Sequence, residues 1–202
     1  MRALIVLLLL TGVAHAEPSN ERLFYTGLAL APPDYLLGVA LHEGSHAVAA
    51  ELFGAEVLEL HLFPPGRDPK VNKFRFGWTY VRGLKTRSQR IAFYLAPKVT
   101  DALLFTAAVL PSPNNRYAQL ALTVFATGLW IDFSKDVFLF SDTNDVTRAF
   151  HQWCMYGWKQ IAPRALYAGL VGVSGYFLYR TYQKTFSDET SSVSIPIVAL
   201  RF

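Results

Sequence analysis

The sequence predicts a mainly α-helical membrane protein: a polytopic bundle of about four spans, with a small β hairpin or sheet between the first two spans. Three observations predict this fold: a composition poor in charge, four long apolar segments, and one stretch of alternating polar and apolar residues. Of the 202 residues, 52% are hydrophobic and 17% are charged, and the mean hydropathy is +0.24. Soluble domains carry about 25% charged residues. The low charge excludes a disordered or nucleic-acid-coating chain, although the net charge is +4.

Residues 1–16 have the layout of a secretory signal peptide. Arg2 precedes an apolar run from Leu4 to Leu10, and the small residues Ala14 and Ala16 follow it. The run is shorter than the roughly 20 residues that cross a bilayer. We expect cleavage after Ala16; the alternative is a signal anchor that stays attached.

Four later segments, 34–53, 89–110, 117–133 and 164–182, are long and mostly apolar, and each predicts a membrane-spanning helix. We expect the first helix to begin at Asp34, directly after Pro32 and Pro33, and to end before Gly54. The second is expected to end before Pro111, because proline disfavours a continuing helix. Residues 186–202 are expected to form a C-terminal tail.

Between the first two helices, polar and apolar residues alternate in 56–63 and again in 73–81, around a turn region at Pro64, Pro65 and Gly66. This period of two predicts two β-strands. The loop from 54 to 90 also carries eight Lys and Arg residues, which are retained on the cytoplasmic side of a membrane. We therefore expect an integral protein of the bacterial inner (cytoplasmic) membrane, in contact with the lipid bilayer and with this loop inside.

The residues that carry chemistry are His42, Glu43 and His46, which form the pattern HExxH within the first apolar helix. Residues four apart lie on one face of a helix, so both imidazoles can reach one ion. Zinc accepts such nitrogen ligands, and Glu43 is placed to act as a general base without binding the metal. Because ionisable groups at membrane depth are costly, they are functional candidates by default. The pattern predicts a zinc site.

On these residues the chain resembles the site-2 protease family of intramembrane zinc metalloproteases, over about 34–150. The resemblance includes HExxH in an early span, small residues after it, and the β-like segment. It also includes the run from Leu95 to Asp101, which is similar to the family's Ala-Gly-Pro-x-x-Asn element. The resemblance implies a membrane metallopeptidase-like domain over 17–185 that binds Zn²⁺ and hydrolyses a membrane-anchored protein substrate.

The family also implies a third zinc ligand, an aspartate from a later segment, where it usually has Leu-Asp-Gly. This chain lacks that tripeptide. The candidates are Asp142, which follows an apolar run and is preferred, and Asp145, which begins a predicted helix; Asp136 is a further candidate. For Asp142 and Asp145 the alternative is a helix-capping role. The chain departs from the family again at Gly44 and Ser45, since the family prefers Gly directly before the second histidine.

Two other functions fit the sequence. One is a non-catalytic metal-binding membrane protein, and the other is a small ion or proton carrier that uses His42, Glu43, His46 and Asp101 as a polar pathway. Peptide hydrolysis is favoured because Glu and both His fall at the spacing that this hydrolytic motif needs. No nucleic-acid partner is expected, because the basic loop has no recognition-helix or phosphate-loop pattern.

Several remaining residues have simpler expected roles. Asp101 either lines the site or pairs with Lys98, one turn away on the same helix. His61 and His151 are expected at the surface or the membrane interface. Cys154 is the single cysteine, which excludes an intramolecular disulfide, and we expect it to be a small buried hydrophobic residue.

Overall fold

The computed structural model of the protein describes residues 17–138, 141 and 144–187. The predicted signal peptide, Asp142 and nearly all of the predicted C-terminal tail lie outside these residues. The helices are α1 Asn20–Leu52, α2 Arg87–Val109, α3 Arg116–Phe138, α4 Asp145–Gln152 and α5 Ile161–Phe186. The strands are β1 Glu56–His61, β2 Gly66–Asp68, β3 Lys73–Arg75 and β4 Trp78–Arg82, and a short 3₁₀ helix spans Gly157–Gln160.

Helix α1 begins at Asn20, so the prediction that it begins at Asp34 is wrong. Ser19 is the N-cap, and its side chain accepts a hydrogen bond from a backbone N–H of the first turn. Pro32 and Pro33 lie inside the helix, where each removes one backbone hydrogen bond. The first half of α1 packs against α3, where Gly27 lies beside Leu120 and Val124.

The other three predicted helices form as α2, α3 and α5, close to their predicted positions. Helix α2 begins with a capping box: Thr86 and Gln89 each bond to the backbone of the other residue. In the described part of the chain, two helical segments, Arg87–Val109 and Gly157–Phe186, are long and apolar enough to cross a membrane. A bundle of four spans is therefore not confirmed.

Three helices, α1, α2 and α3, pack against one another, α5 packs on α3, and α4 packs mainly on α2. A buried apolar cluster joins α2, α3 and α5 and consists of Phe105, Ala108, Ala126, Leu129 and Leu178. This cluster fixes α2, α3 and α5 relative to one another.

Helices α1 and α3 run side by side in the same direction. Near their first turns, Arg116 donates hydrogen bonds to the Pro18 carbonyl (2.7 Å) and to the Asn20 side chain. Farther along, the His42 Nδ1–H donates to Asp132 Oδ2 at 2.8 Å. This packing sets the HExxH face of α1 against the second half of α3.

The β segment contains four short strands rather than the two predicted. β1 pairs with β4, and β2 pairs with β3, each in an antiparallel two-stranded sheet. Trp78 of β4 is buried and stacks on His61 at 3.8 Å between ring centres, and His61 also donates a hydrogen bond to the Pro64 carbonyl (2.7 Å). β4 also packs on α1, which brings it beside the HExxH motif.

Cys154 is exposed, so the prediction of a buried cysteine is wrong. It follows the C-cap of α4, Trp153, and has a positive φ of 58°. This backbone conformation turns the chain away from α4. His151 stacks on Tyr156 at 4.7 Å between ring centres.

The β2–β3 hairpin is held by Asp68, whose side chain is fully buried. Its Oδ1 accepts hydrogen bonds from the backbone N–H of Lys70 (2.9 Å) and of Val71 (3.4 Å) and from the Tyr80 hydroxyl. Arg75 Nε lies 3.3 Å from its other oxygen. Burial opposes ionisation, but these hydrogen bonds and the guanidinium together lower the pKa of Asp68 below 3.8. Burial and the Asp68 carboxylate raise the pKa of Tyr80 to about 12.

Replacing Asp68 with Ala should destabilise the hairpin by about 1–3 kcal/mol, because the partly buried hydroxyl of Tyr80 and two backbone N–H groups lose their acceptor. Since the pKa of Asp68 is lowered in the folded state, its stabilisation is complete above pH 3.8 and is lost as the pH falls further. Hydrogen exchange of residues 66–75 should report both effects. The matched control is Lys73→Ala, at an exposed position of the same hairpin. Equal protection in the two variants would contradict this account.

Candidate metal centre

Two imidazoles and one carboxylate converge where α1 meets the beginning of α4. His42 and His46 lie one turn apart on α1, and Asp145 is the first residue of α4. Asp145 Oδ2 lies 3.2 Å from His42 Nε2 and 3.3 Å from His46 Nε2. One ligand atom from each of the three residues lies within 4.8 Å of the other two. All three side chains are at least four-fifths buried.

The outer nitrogen of each imidazole faces a hydrogen-bond acceptor. His42 Nδ1 faces Asp132 Oδ2 at 2.8 Å, and His46 Nδ1 faces the Phe93 carbonyl oxygen at 2.7 Å. Both Nδ1 atoms must therefore carry their protons. In the neutral imidazoles the lone pairs then lie on Nε2 and point at the Asp145 carboxylate. Three lone pairs directed at one point repel one another unless a cation, or additional protons, lie between them.

Two of the three distances between these ligand atoms match the edges of a tetrahedral metal site. With zinc bonds of about 2.0–2.2 Å to nitrogen and oxygen, the ligand atoms of a tetrahedral site lie roughly 3.3–3.5 Å apart. The two distances from Asp145 Oδ2, 3.2 and 3.3 Å, are close to this value. Two neutral imidazoles and one carboxylate also form a donor set that zinc accepts.

Asp145 is free to bind a cation because another residue caps its helix. The N-cap of α4 is Asn144, whose side chain accepts a hydrogen bond from the Thr147 N–H at 3.1 Å. The capping alternative for Asp145 is therefore wrong. Burial by itself would raise the pKa of the Asp145 carboxyl, but when the imidazoles carry a proton on Nε2, their hydrogen bonds and positive charge hold it well below its usual range. The group is ionised.

The other candidate aspartates have different positions. Asp142 lies outside the described residues. Asp136 is buried, and its carboxylate lies 3.2 Å from Lys98 Nζ. Lys98 also lies 3.7 Å from Asp101, as in the predicted pairing of these two residues on α2.

His42 is hydrogen-bonded to a buried network of charged side chains. Lys98 Nζ lies 2.7 Å from Asp132 Oδ2, the same oxygen that accepts the His42 Nδ1–H. Together with Asp101 and Asp136, Asp132 gives this ammonium group three carboxylate neighbours. The network fixes both the orientation of the His42 ring and the nitrogen that carries its proton.

Glu43 is buried beside the imidazoles and is held by β4. The Thr79 hydroxyl donates a hydrogen bond to Glu43 Oε2 at 2.7 Å. Gly77 leaves the space that the Glu43 side chain occupies, because a Cβ at that position would lie 2.8 Å from Glu43 Cγ. The β segment therefore sets the position of the Glu43 carboxylate.

His42, Glu43 and His46 line a cavity of about 800 Å³ that lies between α1, α3 and the β segment. The cavity reaches along the apolar first half of α1 and is lined there mostly by apolar residues, which include Leu23, Leu28, Val39, Leu120, Val124 and Ile131. A cavity of this volume with a largely apolar lining is typical of a binding site.

Comparisons with known proteins place the chain in a family. The family described as Peptidase M50B-like matches residues 4–138, which is 135 of the 202 residues. The chain belongs to the Peptidase M50B-like family. No curated protein and no solved structure matches it. The match confirms the relationship to site-2 proteases and indicates a membrane metallopeptidase.

Sequence reasoning missed Asp132, Gly77 and Thr79 in this M50B-like chain. Asp132 could have been identified from the sequence, because it is an acidic residue within an apolar helical segment and such residues are functional candidates. Gly77 and Thr79 could not, since their roles depend on how β4 packs on α1.

Replacing Asp132 with Ala should weaken zinc binding about 10–100-fold, the usual effect of removing the partner of a metal-binding imidazole. The His42 ring loses its acceptor, and Lys98 loses a carboxylate at 2.7 Å. Titration of the purified, detergent-solubilised protein against a zinc chelator measures the change.

The matched control is Glu51→Gln, which alters an exposed carboxylate on α1 and should leave zinc affinity unchanged. A folded Asp132→Ala variant that binds zinc as tightly as the wild type would show that Asp132 does not position His42.

Proposed function

We propose that this protein is a zinc-dependent intramembrane endopeptidase of the bacterial inner membrane, which hydrolyses a membrane-anchored protein substrate. The observation that carries the proposal is the convergence of two imidazole nitrogens and one ionised carboxylate beside a buried glutamate, at the side of a largely apolar cavity. Membership in a metallopeptidase family supports it.

In this proposal His42, His46 and Asp145 hold the zinc ion. A zinc ion bound there would lower the pKa of a water molecule toward about 7 and polarise a carbonyl group. Two networks of the protein keep the donor atoms in place. Asp132 and Lys98 orient His42, and the Phe93 carbonyl orients His46.

Glu43 is the proposed general base. Thr79 donates to one of its carboxylate oxygens, Oε2, and no described residue donates a hydrogen bond to the other, Oε1. That oxygen is available to accept a proton from the attacking water and to deliver it to the leaving amine. Because Glu43 is buried, bulk water competes little for this proton.

The cavity supports a membrane-anchored substrate. Its apolar lining matches the side chains of a transmembrane segment, and burial of these side chains would stabilise the complex. The peptide bonds of an intact helix are shielded by their own hydrogen bonds and side chains. The substrate segment must therefore unwind locally before Glu43 can act on it.

Replacing Glu43 with Gln should lower the rate of peptide hydrolysis by about 10²–10⁴-fold, because the amide cannot accept the proton. Zinc content should stay at the wild-type level, since Glu43 is not among the three converging ligands. The assay measures cleavage of apolar membrane peptides in detergent by mass spectrometry, together with zinc content by elemental analysis.

The companion variant, His46→Ala, should lose both zinc and cleavage. Full zinc occupancy in that variant would refute the ligand assignment. A wild-type protein that contains zinc but cleaves no membrane peptide would favour a non-catalytic metal-binding role.

A further inference from the structure

One carboxylate in the cavity has no part in the metal centre. Asp34 lies in the interior of α1 and is half-buried in the cavity wall. Across the described ranges 17–138, 141 and 144–187, no hydrogen bond or ion pair involves this side chain. A carboxylate in largely apolar surroundings without a partner is costly, and a cation beside it removes much of that cost.

The position of Asp34 relates it directly to the metal centre. Asp34, Gly38, His42 and His46 follow one another at intervals of four residues, and all four line the cavity. They therefore form one row along the face of α1. Asp34 precedes His42 by eight residues, which corresponds to about 12 Å of helical rise. An extended peptide covers that distance in three or four residues.

Helix α3 makes room for this carboxylate. Gly128 faces Asp34, and a Cβ at Gly128 would collide with Asp34 Oδ2. The carboxylate therefore occupies a notch that only glycine leaves open, which holds it at the cavity wall. No side chain of α3 replaces the missing partner at this point.

Two of the cations that line the cavity, Arg75 and Lys135, have carboxylate partners of their own. Arg75 pairs with Asp68, and Lys135 pairs with Asp132. Neither pair involves Asp34, so its carboxyl group remains available to a cation that enters the cavity with a ligand.

We propose that Asp34 binds a cationic side chain, lysine or arginine, of the substrate, three or four residues away from the peptide bond that is cleaved. This inference rests on the proposed function and adds the class of substrate: an apolar membrane segment with one basic residue near the cleavage site. Asp34 determines specificity and takes no part in the chemical step.

The probe is a set of apolar alanine–leucine peptides that carry a single Lys, Gln or Glu at successive positions. Their binding to zinc-loaded Glu43→Gln protein is measured in dodecylmaltoside, a neutral detergent. Lys peptides should bind roughly tenfold more tightly than the matching Gln peptides, and Asp34→Asn should remove this difference. Asp34→Lys should reverse it in favour of the Glu peptides.

A second variant tests the position of the charge. Gly128→Ala keeps the Asp34 charge but displaces the carboxylate from its notch, so the preference for Lys should fall. Alanine is a better helix former than glycine, so α3 should remain folded. The control is Gly172→Ala on α5, where an added Cβ meets no atom within 4 Å, and this variant should keep the preference.

The outcomes separate this inference from the proposed function. If the wild type cleaves Lys and Gln peptides equally at every position of the charge, the cation-binding role of Asp34 is refuted and the proposed peptidase activity is supported. If no peptide is cleaved but the preference for Lys in binding depends on Asp34, the cation-binding role of Asp34 is supported and the proposed peptidase activity is refuted. Equal binding of Lys, Gln and Glu peptides would overturn the inference. Competition by phosphatidylethanolamine that matches the Lys peptides would assign the site to a lipid amine instead.

Discussion

The candidate metal centre depends on which nitrogen of the His42 and His46 rings carries the proton, because the other nitrogen then presents its lone pair. Asp132 and the Phe93 carbonyl each accept a proton from the outer nitrogen of one ring, which leaves both inner nitrogens facing the ionised Asp145. Such an arrangement is electrostatically unfavourable unless a metal cation, or additional protons on the Nε2 atoms, lie between the three groups. The distances of 3.2 and 3.3 Å match the edges of a tetrahedral site.

The fold brings groups from five elements to this point. α1 supplies both imidazoles, and α4 supplies Asp145 because Asn144 takes over the capping of that helix. α2 and α3 supply Lys98 and the carboxylates around it, and β4 holds Glu43 through Thr79. On the N-terminal side of its two prolines, α1 packs on α3. The first half of α1 forms part of the cavity wall.

The sequence was most informative where function depends on local spacing. HExxH is a pattern within a single helical turn, so both imidazoles and Glu43 could be identified directly. The third ligand that we propose, Asp145, could not be singled out, because it approaches α1 only through the packing of α4 and the chain pattern favours Asp142. The predicted start of α1, at Asp34, was wrong. Two consecutive prolines usually mark a helix boundary, but Ser19 caps this helix farther upstream. Thr79 and Gly128 have roles that only contacts between distant elements reveal.

Zinc affinity in two aspartate variants tests the central claim most directly. Asp145→Ala removes the carboxylate that both imidazoles face, whereas Asp142→Ala changes the neighbouring acid of the same segment. The account predicts that Asp145→Ala loses stoichiometric zinc, measured by chelator competition on the purified protein, and that Asp142→Ala retains wild-type affinity. Loss of zinc in Asp142→Ala with full binding in Asp145→Ala would contradict it.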